Sequence, residues 1–155
     1  MTSERFRIAI VVSRFNEEIS NRLLDGACTY LENSSDFNAD ISVRWVPGAF
    51  EIPFACQEVI DKTDVDAVIT LGSVVKGGTP HFDFVAGECI RGIQTVSLST
   101  KTPISLGVLT TNTYEQALER SNSSYVDHDG SSGDKGTSAA EAAVAMIRLN
   151  RSLTF

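Results

Sequence analysis

Hydrophobic and polar residues follow two alternating patterns along the chain. Four short runs rich in Val, Ile and Leu predict strands, and each is followed by apolar residues at the three-and-four spacing of a helix. The predicted strands are residues 7–12, 41–46, 67–71 and 104–109. Since strand and helix alternate with short connections, we expect right-handed crossovers and helices on both faces of the sheet. The sequence thus predicts an α/β fold, a three-layer α/β/α sandwich with a four-stranded parallel sheet.

Polar residues and prolines indicate where the first three helices begin. Asn16 is the expected N-cap of the first helix, and Pro53 fits the first turn of the second. Thr79 is expected to cap the third helix, with Pro80 at its first position. Each helix start therefore follows closely on the carboxyl end of a strand.

Two more helices complete the pattern. Thr113 and Gln116 have the spacing of a capping box, which predicts a short fourth helix that ends near Arg120. The polar segment 121–133 follows, and it is most simply interpreted as a solvated loop. A final alanine-rich helix is expected over residues 134–149.

The length and hydrophobic content indicate one globular domain. The chain has 155 residues, 42% of them hydrophobic, and we expect a single domain over residues 1–155. No apolar run approaches the ~20 residues that a transmembrane helix needs, and the polar start precedes no signal-peptide core. These features predict a cytoplasmic protein with no membrane partner.

Charge and cysteine content argue against several classes of function. The chain has 20 Asp and Glu against 13 Lys and Arg, a net charge of −7 and a pI near 4.7. Proteins that bind nucleic acids usually present a basic face, so we expect no nucleic-acid partner. Cys28, Cys56 and Cys89 are too widely spaced for a CxxC motif, and we expect them to be packing residues.

The predicted sheet also locates the candidate site. In an open parallel sheet, ligands bind beyond the carboxyl ends of the strands, where loops meet the N-termini of helices. Four segments lie at those ends, namely 13–16, 47–51, 72–81 and 110–112. We expect them to converge at one edge of the sheet.

The segment 72–79, with the sequence GSVVKGGT, carries a glycine-rich turn. Backbone N–H groups that glycines expose at the start of a helix favour an anion. The spacing is similar to that of a nucleotide-binding P-loop, but Gly78 stands where that loop has its lysine. We therefore expect a small phosphate ester as ligand instead of a triphosphate. The alternative is a tight turn that merely requires glycine.

His81 is the candidate proton-transfer residue. It falls in the first turn of the third helix, where the positive end of the helix dipole favours the neutral imidazole, which can exchange a proton. Alternatively, His81 only bonds to the backbone at the helix start. The other histidine, His128, could be a metal ligand or an exposed loop residue. Because two histidines alone do not make a metal site, we expect no metal.

Three further side chains each allow two interpretations. Phe15 could stack on a planar heterocycle, or it could act as a hydrophobic staple for the first helix. Glu51 could accept hydrogen bonds from ligand hydroxyls, or it could simply complement the dipole of the second helix. Arg120 could bind a phosphate through its guanidinium fork, or it could be a solvated residue near a helix end.

Taken in order, these segments resemble the lumazine synthase family, and the resemblance spans nearly the whole chain. It is carried by SRFN at 13–16, VPGAFEIP at 46–53, ITLGSVVKGGTPHFDFVA at 69–86, GVLTTNTYEQALER at 107–120 and DKG at 134–136. The resemblance implies a flavodoxin-like sheet and the condensation of 5-amino-6-(D-ribitylamino)uracil with 3,4-dihydroxy-2-butanone 4-phosphate, the penultimate step of riboflavin biosynthesis. It also implies an imine, release of phosphate and water, and no metal or organic cofactor.

The resemblance also implies a role for individual residues. Those that hold the pyrimidine and the ribityl chain would be Phe15, Ala49, Phe50, Glu51, Ser73, Val74 and Val75. Those that bind the phosphate would be Gly78, Thr79 and Arg120. His81 would shuttle the proton.

Members of this family form pentamers with sites across the subunit interfaces, so the resemblance implies that a neighbour supplies the segments near Leu106, Arg120 and Lys135. Three features differ from the family pattern. Leu106 replaces a residue that is often aromatic, the loop over 121–134 is longer and leaves Lys135 as its only lysine, and the chain ahead of Arg7 is short. Family members with an extended loop there and a short N-terminus tend to stop at the pentamer instead of closing an icosahedral shell, so the resemblance implies a homopentamer.

Two other functions fit the same scaffold. One is a non-catalytic module that binds lumazine or flavin, which the joint presence of His81, Thr79 and Arg120 disfavours. The other is a flavodoxin-like module that binds a nucleotide or flavin mononucleotide.

Overall fold

A computed structural model describes residues 3–130 and 133–153. In chain order the elements are β1 (Glu4–Ser13), α1 (Glu17–Glu32), β2 (Phe37–Val46), α2 (Ile52–Lys62), β3 (Ala67–Val75), α3 (His81–Thr100), β4 (Ile104–Thr111), α4 (Tyr114–Arg120) and α5 (Lys135–Ser152). A single turn of 3₁₀ helix, Ala49–Glu51, precedes α2. Within the described residues, no helix combines the length and the apolar character that crossing a bilayer requires.

The four strands form one parallel sheet in the order β2-β1-β3-β4. In the central strand β1, Ile8 is in register with Ile41 of β2 and with Ala67 of β3. All four predicted strands are present, but each extends beyond its predicted range because the backbone pairing continues past the apolar run. Near the start of β1, the Arg5 guanidinium also donates to the Asp40 carboxylate on β2 at 2.8 Å.

Alternate residues of β1 point into two separate cores. Ile10 packs in a core with α1, α4 and α5, whereas Val11 faces a second core formed with α2 and α3. Both side chains are fully buried. Because helices cover both faces of the sheet, the predicted three-layer α/β/α sandwich with a flavodoxin-like parallel sheet is confirmed.

The cysteines are packing residues, as expected. Burial raises the pKa of the Cys56 thiol to about 12 and that of the Cys89 thiol to about 11, so both stay protonated at neutral pH. Cys28 is half-buried, and burial together with Glu32 and Asp25 raises its pKa as well. None of the three thiols is therefore activated as a nucleophile.

The helix starts follow the predictions at some positions and depart from them at others. The capping box of Thr113 and Gln116 is present, α4 ends at Arg120, and Pro53 lies in the first turn of α2. The prediction that Thr79 caps α3 was wrong. The Pro80 carbonyl accepts the first hydrogen bond, from the Asp83 N–H at 3.0 Å, so Pro80 is the N-cap and the helix begins at His81.

The last helix begins one residue later than predicted and extends further. The Asp134 carboxylate caps it by accepting the Thr137 N–H at 2.9 Å, and the helix then continues from Lys135 to Ser152. The additional turn is anchored to β1, because the Arg151 guanidinium donates to the Arg5 carbonyl oxygen at 2.8 Å.

Helices α1 and α5 approach so closely that glycine is required between them. A Cβ atom on Gly136 would lie 2.0 Å from the Leu23 carbonyl oxygen, and one on Gly26 would lie 2.2 Å from the Asp134 carboxylate. The Thr137 hydroxyl also donates to the Gly26 carbonyl oxygen at 3.2 Å. This contact fixes α5, and hence the loop that precedes it, against the sheet.

Replacing Gly136 with Ala should lower the free energy of unfolding by about 1–3 kcal/mol, because the new methyl group cannot fit against a backbone carbonyl. Chemical denaturation at matched protein concentration measures this change. Ala142→Ser adds one heavy atom at an exposed position of the same helix and should change the value by less than about 0.5 kcal/mol. Equal losses in the two variants would contradict the interpretation of a close contact.

Candidate active site

Backbone hydrogen bonds join the strand ends in pairs. The Arg14 N–H, just after β1, donates to the Val46 carbonyl oxygen of β2 at 2.8 Å. The Lys76 N–H, just after β3, donates to the Thr111 carbonyl oxygen of β4 at 2.9 Å. The predicted convergence at the carboxyl edge of the sheet is therefore confirmed.

A cavity of about 710 Å³ opens at this edge, beside the first two turns of α3. Its size is typical of a small-molecule site. Nine of the predicted site residues line it, namely Phe15, Ala49, Phe50, Glu51, Ser73, Val74, Val75, Thr79 and His81. The six described lining residues that sequence reasoning did not assign to the site are Gly48, Gly77, Phe82, Phe84, Val85 and Glu88.

Phe15 and Phe50 present aromatic rings at the mouth of the cavity. Phe15 is 70% exposed and Phe50 is 64% exposed. A hydrophobic staple would pair Phe15 with an apolar residue at the fourth position of α1, but Ser20 occupies that position, so the staple interpretation of Phe15 was wrong. The two rings are available to contact a planar ligand.

Glu51 brings a carboxylate to the cavity. It occupies the N-cap of α2, yet its side chain makes no capping hydrogen bond to the helix. Its position is still favourable for the dipole, so both interpretations of Glu51 stand. Because the Glu51 carboxylate makes no capping hydrogen bond, it can accept hydrogen bonds from a ligand.

The glycine-rich turn does not need its glycines for the fold. Neither Gly77 nor Gly78 has a positive φ, and a Cβ atom on either would meet nothing within 4 Å. The alternative of a turn that requires glycine is therefore wrong. Gly72 lies inside β3, where a Cβ atom would sit 2.4 Å from the Ser13 hydroxyl oxygen, so the P-loop spacing begins within a strand.

His81 is the first residue of α3 and lines the cavity with its side chain exposed. The other histidine, His128, is exposed in the loop after α4, and its backbone N–H donates to the Asp127 carboxylate at 2.9 Å. Among the described residues, no group of three or more His, Cys, Asp or Glu side chains could hold a metal ion.

Three of the four α3 residues that sequence reasoning missed share a helical period with His81. Phe84, Val85 and Glu88 follow it by three, four and seven positions, which places these three residues and His81 on one face of the helix. This spacing is visible in the sequence and could have identified the lining residues. It makes the wall of the cavity mostly apolar, with a carboxylate at the far end.

Four predicted site residues do not line the cavity. Gly78 lies in the turn, beside lining residues, and Leu106 lies on the edge strand β4 with 49% of its surface exposed. Arg120 and Lys135 lie at the end of α4 and the start of α5. None of the described lining residues is a lysine or an arginine.

Arg120 and Lys135 meet instead at the Tyr125 ring. The guanidinium carbon of Arg120 lies 5.8 Å from the ring centroid, and the Lys135 Nζ lies 5.2 Å from it. Tyr125 is buried, so the interpretation of 121–133 as a simply solvated loop was wrong for this part of it. Both cations stay close together because they contact the same aromatic ring.

Asp127 from the same loop pairs with Lys135. The Lys135 ammonium and the Asp127 carboxylate form a short ion pair, and the Tyr125 hydroxyl donates to the same carboxylate at 3.4 Å. The Lys135 hydrogen bond, supported by the His128 N–H, lowers the pKa of Asp127 to about 2. The carboxylate therefore opposes part of the positive charge that the two cations create.

Comparisons with known proteins agree on one family. A profile described as 6,7-dimethyl-8-ribityllumazine synthase matches residues 5–151 of the chain. Two proteins with that name, from two strains of Thermus thermophilus, are each 42% identical to this chain over 149 residues. Each alignment covers 96% of this chain and 90% of the other protein.

The Asp127 carboxyl should titrate with a midpoint of about 2 in the folded protein. Because the folded-state pKa is lowered, the pair stabilises the fold above the carboxyl's ordinary pKa, and this contribution is lost as the pH falls towards 2. Carboxyl-carbon NMR measures the midpoint, which should rise in Lys135→Met. A midpoint in the ordinary Asp range in the wild type would contradict the ion pair.

Proposed function

The chain belongs to the 6,7-dimethyl-8-ribityllumazine synthase family, and we propose that its reaction takes place in the cavity at the carboxyl edge of the sheet. The enzyme is a transferase of riboflavin biosynthesis that condenses 5-amino-6-(D-ribitylamino)uracil with 3,4-dihydroxy-2-butanone 4-phosphate and releases phosphate and water. The observation that carries the location of the site is the convergence of nine predicted residues from three separate segments on one cavity.

The pyrimidine fits the apolar part of the cavity. The exposed ring of Phe15 offers a stacking surface for a planar heterocycle, and the end of β3 provides the facing wall through Ser73, Val74 and Val75. We assign the pyrimidine to this space. The ribityl hydroxyls would then lie towards residues 49–51, where the Glu51 carboxylate can accept their hydrogen bonds.

His81 is suited to the proton transfers of the reaction. An amine nitrogen of the pyrimidine attacks the ketone carbon and loses water to give an imine, and a proton then leaves the neighbouring carbon so that the bond to phosphate can break. Loss of phosphate leaves an enol, which becomes a ketone, and the second nitrogen attacks this carbonyl carbon and loses another water to close the ring. An exposed imidazole at the cavity wall can take up and return these protons.

The phosphate requires groups that the cavity of one subunit lacks. The described residues that line it include Glu51 and Glu88 but no lysine or arginine, so a phosphate ester would meet net negative charge there. Gly78 and Thr79 offer an open turn at the start of α3. We assign the remaining phosphate contacts to Arg120 and Lys135 of a neighbouring subunit, with Leu106 beside the pyrimidine.

A second subunit also explains the exposed aromatic residues around the cavity. Phe84 on α3 lines the cavity and is 69% exposed, and Phe54 on α2, three residues after the lining residue Glu51, is 71% exposed. Apolar side chains in such a position are typical of an interface. We propose a homopentamer with each site shared by two subunits. A single domain over 1–155, a cytoplasmic location and a reaction without cofactor or nucleic acid remain predictions.

Replacing His81 with Ala should lower kcat by about 10², because the proton transfers then depend on water. The assay mixes the two substrates with the wild-type enzyme and follows lumazine fluorescence and phosphate release. His128→Ala removes the other histidine, which is exposed outside the cavity, and should leave kcat unchanged. If the wild-type protein bound lumazine or riboflavin but formed no product above background, the non-catalytic binding module would replace the proposed function.

Subunits with complementary defects should restore activity when they assemble together. We expect His81→Ala and Arg120→Ala each to be nearly inactive, whereas a random mixed assembly would contain about one quarter of sites with both residues intact. Co-refolding equal amounts should therefore recover about a quarter of the wild-type activity, in a particle of about 84 kDa, five times the 16.8 kDa of one chain. No recovery would contradict shared sites, and a megadalton particle would contradict the pentamer.

A further inference from the structure

Asn16 has a backbone conformation that few residues adopt without strain. Its φ is 60° and its ψ is 51°, in the left-handed region. Among the described residues, Lys101 is the only other non-glycine residue with a positive φ. Asn tolerates this region better than most side chains, so the position restricts which residues can replace it.

The side chain of Asn16 does not do what its N-cap position predicts. An N-cap side chain normally accepts a hydrogen bond from the first turn of its own helix, but Asn16 makes no such bond. Its amide Nδ2 instead donates to the carbonyl oxygen of Ser73 at 3.0 Å. The helix is still held, because the Asn16 carbonyl oxygen accepts the Ser20 N–H at 3.1 Å.

The Ser73 carbonyl lies on the part of β3 that is no longer paired with β1. The ladder between β1 and β3 ends at the pair Val12–Leu71, whereas β3 continues to Val75 along β4. The Asn16 amide therefore supplies a donor to β3 beyond the last paired residue of β1. It joins the loop after β1 to the end of β3 without a strand between them.

This single hydrogen bond connects the two surfaces assigned to the pyrimidine. Phe15 precedes Asn16, and its own N–H donates to the Pro47 carbonyl oxygen at 3.1 Å, which fixes the loop on the β2 side. Ser73 lines the cavity and belongs to the end of β3, which we assign to the other side of the pyrimidine. The distance between the Phe15 ring and the end of β3 thus depends on the hydrogen bond from Asn16 to Ser73. This bond lies within the protein and involves no ligand atom.

We propose that Asn16 is a positioning residue for the pyrimidine: its amide sets the separation between the Phe15 ring and the end of β3. Asn16 is not among the residues that line the cavity, so it acts through its neighbours. A flat heterocycle stacks well over only a narrow range of separations, and a small misplacement of a positioning group is costly. This inference rests on the proposed function of the cavity.

Two substitutions separate the hydrogen bond from the backbone conformation. Asn16→Gly keeps the left-handed conformation and removes the donor. Asn16→Asp keeps the size of the side chain but places carboxylate oxygens against the Ser73 carbonyl oxygen. Lys101→Gly is the matched control, because it relaxes the other left-handed residue, which lies at the far end of α3.

The measurements are the KM for each substrate, kcat, the Kd for the lumazine product by fluorescence titration, and the thermal midpoint. Both Asn16 variants should raise the KM for the pyrimidine and the Kd for lumazine by about tenfold, with the KM for the butanone phosphate within about twofold of wild type. Lys101→Gly should leave all of these constants unchanged.

Two results would overturn the inference. One is an unchanged pyrimidine KM and lumazine Kd in Asn16→Gly, and the other is an equal rise in both substrate KM values with a large fall in the thermal midpoint, which would indicate a purely structural residue. The wild-type assay keeps the proposed function separate, because product formation by the wild type supports that function whatever the Asn16 variants do.

Discussion

The unequal ladders of strand β1 account for the position of the candidate site. Its pairing with β2 continues to Ser13, but its pairing with β3 ends at Val12, while β3 and β4 stay paired to Val75 and Thr111. From β1 the chain crosses to β2 on one side, and from β3 it crosses to β4 on the other side. The loops after β1 and β3 therefore leave the sheet in opposite directions. The sheet therefore leaves unpaired backbone and open space at the one point where both loops begin, and the cavity forms there.

The early end of the pairing between β1 and β3 also explains why small residues and a side-chain amide follow the apolar runs of these strands. Gly72 has no Cβ, which leaves room for the Ser13 hydroxyl between the strands, and Asn16 provides the donor that a longer β1 would have provided. The walls of the cavity are thus strand ends, a 3₁₀ turn and a helix start, and they are held by backbone hydrogen bonds together with the Asn16 amide. Such walls move less than long loops do, which suits a reaction that depends on placing two substrates.

The fold and about half of the site can be predicted from the sequence, because these depend on local patterns. Periodicity is sufficient to find four strands and five helices, and the spacing of Thr113 and Gln116 is sufficient for the capping box. Thr79 is a plausible cap only if Pro80 lies inside the helix, and the hydrogen bond to the Pro80 carbonyl shows that the helix begins later. The meeting of Arg120 and Lys135 at Tyr125 has no local signal, because it depends on how an irregular loop folds back.

The distribution of charge gives the proposed assembly a role in the reaction as well as in stability. A chain with a net charge of −7 whose cavity carries Glu51 and Glu88 repels a phosphate ester from the place where His81 would act. Its cations at Tyr125 are held away from that cavity and are partly neutralised by Asp127. On the proposed assignment, an isolated subunit would offer a place for the neutral heterocycle but little attraction for the anionic partner. In the proposed pentamer, the cations of one copy would lie at the cavity of another and would remove this imbalance at each interface.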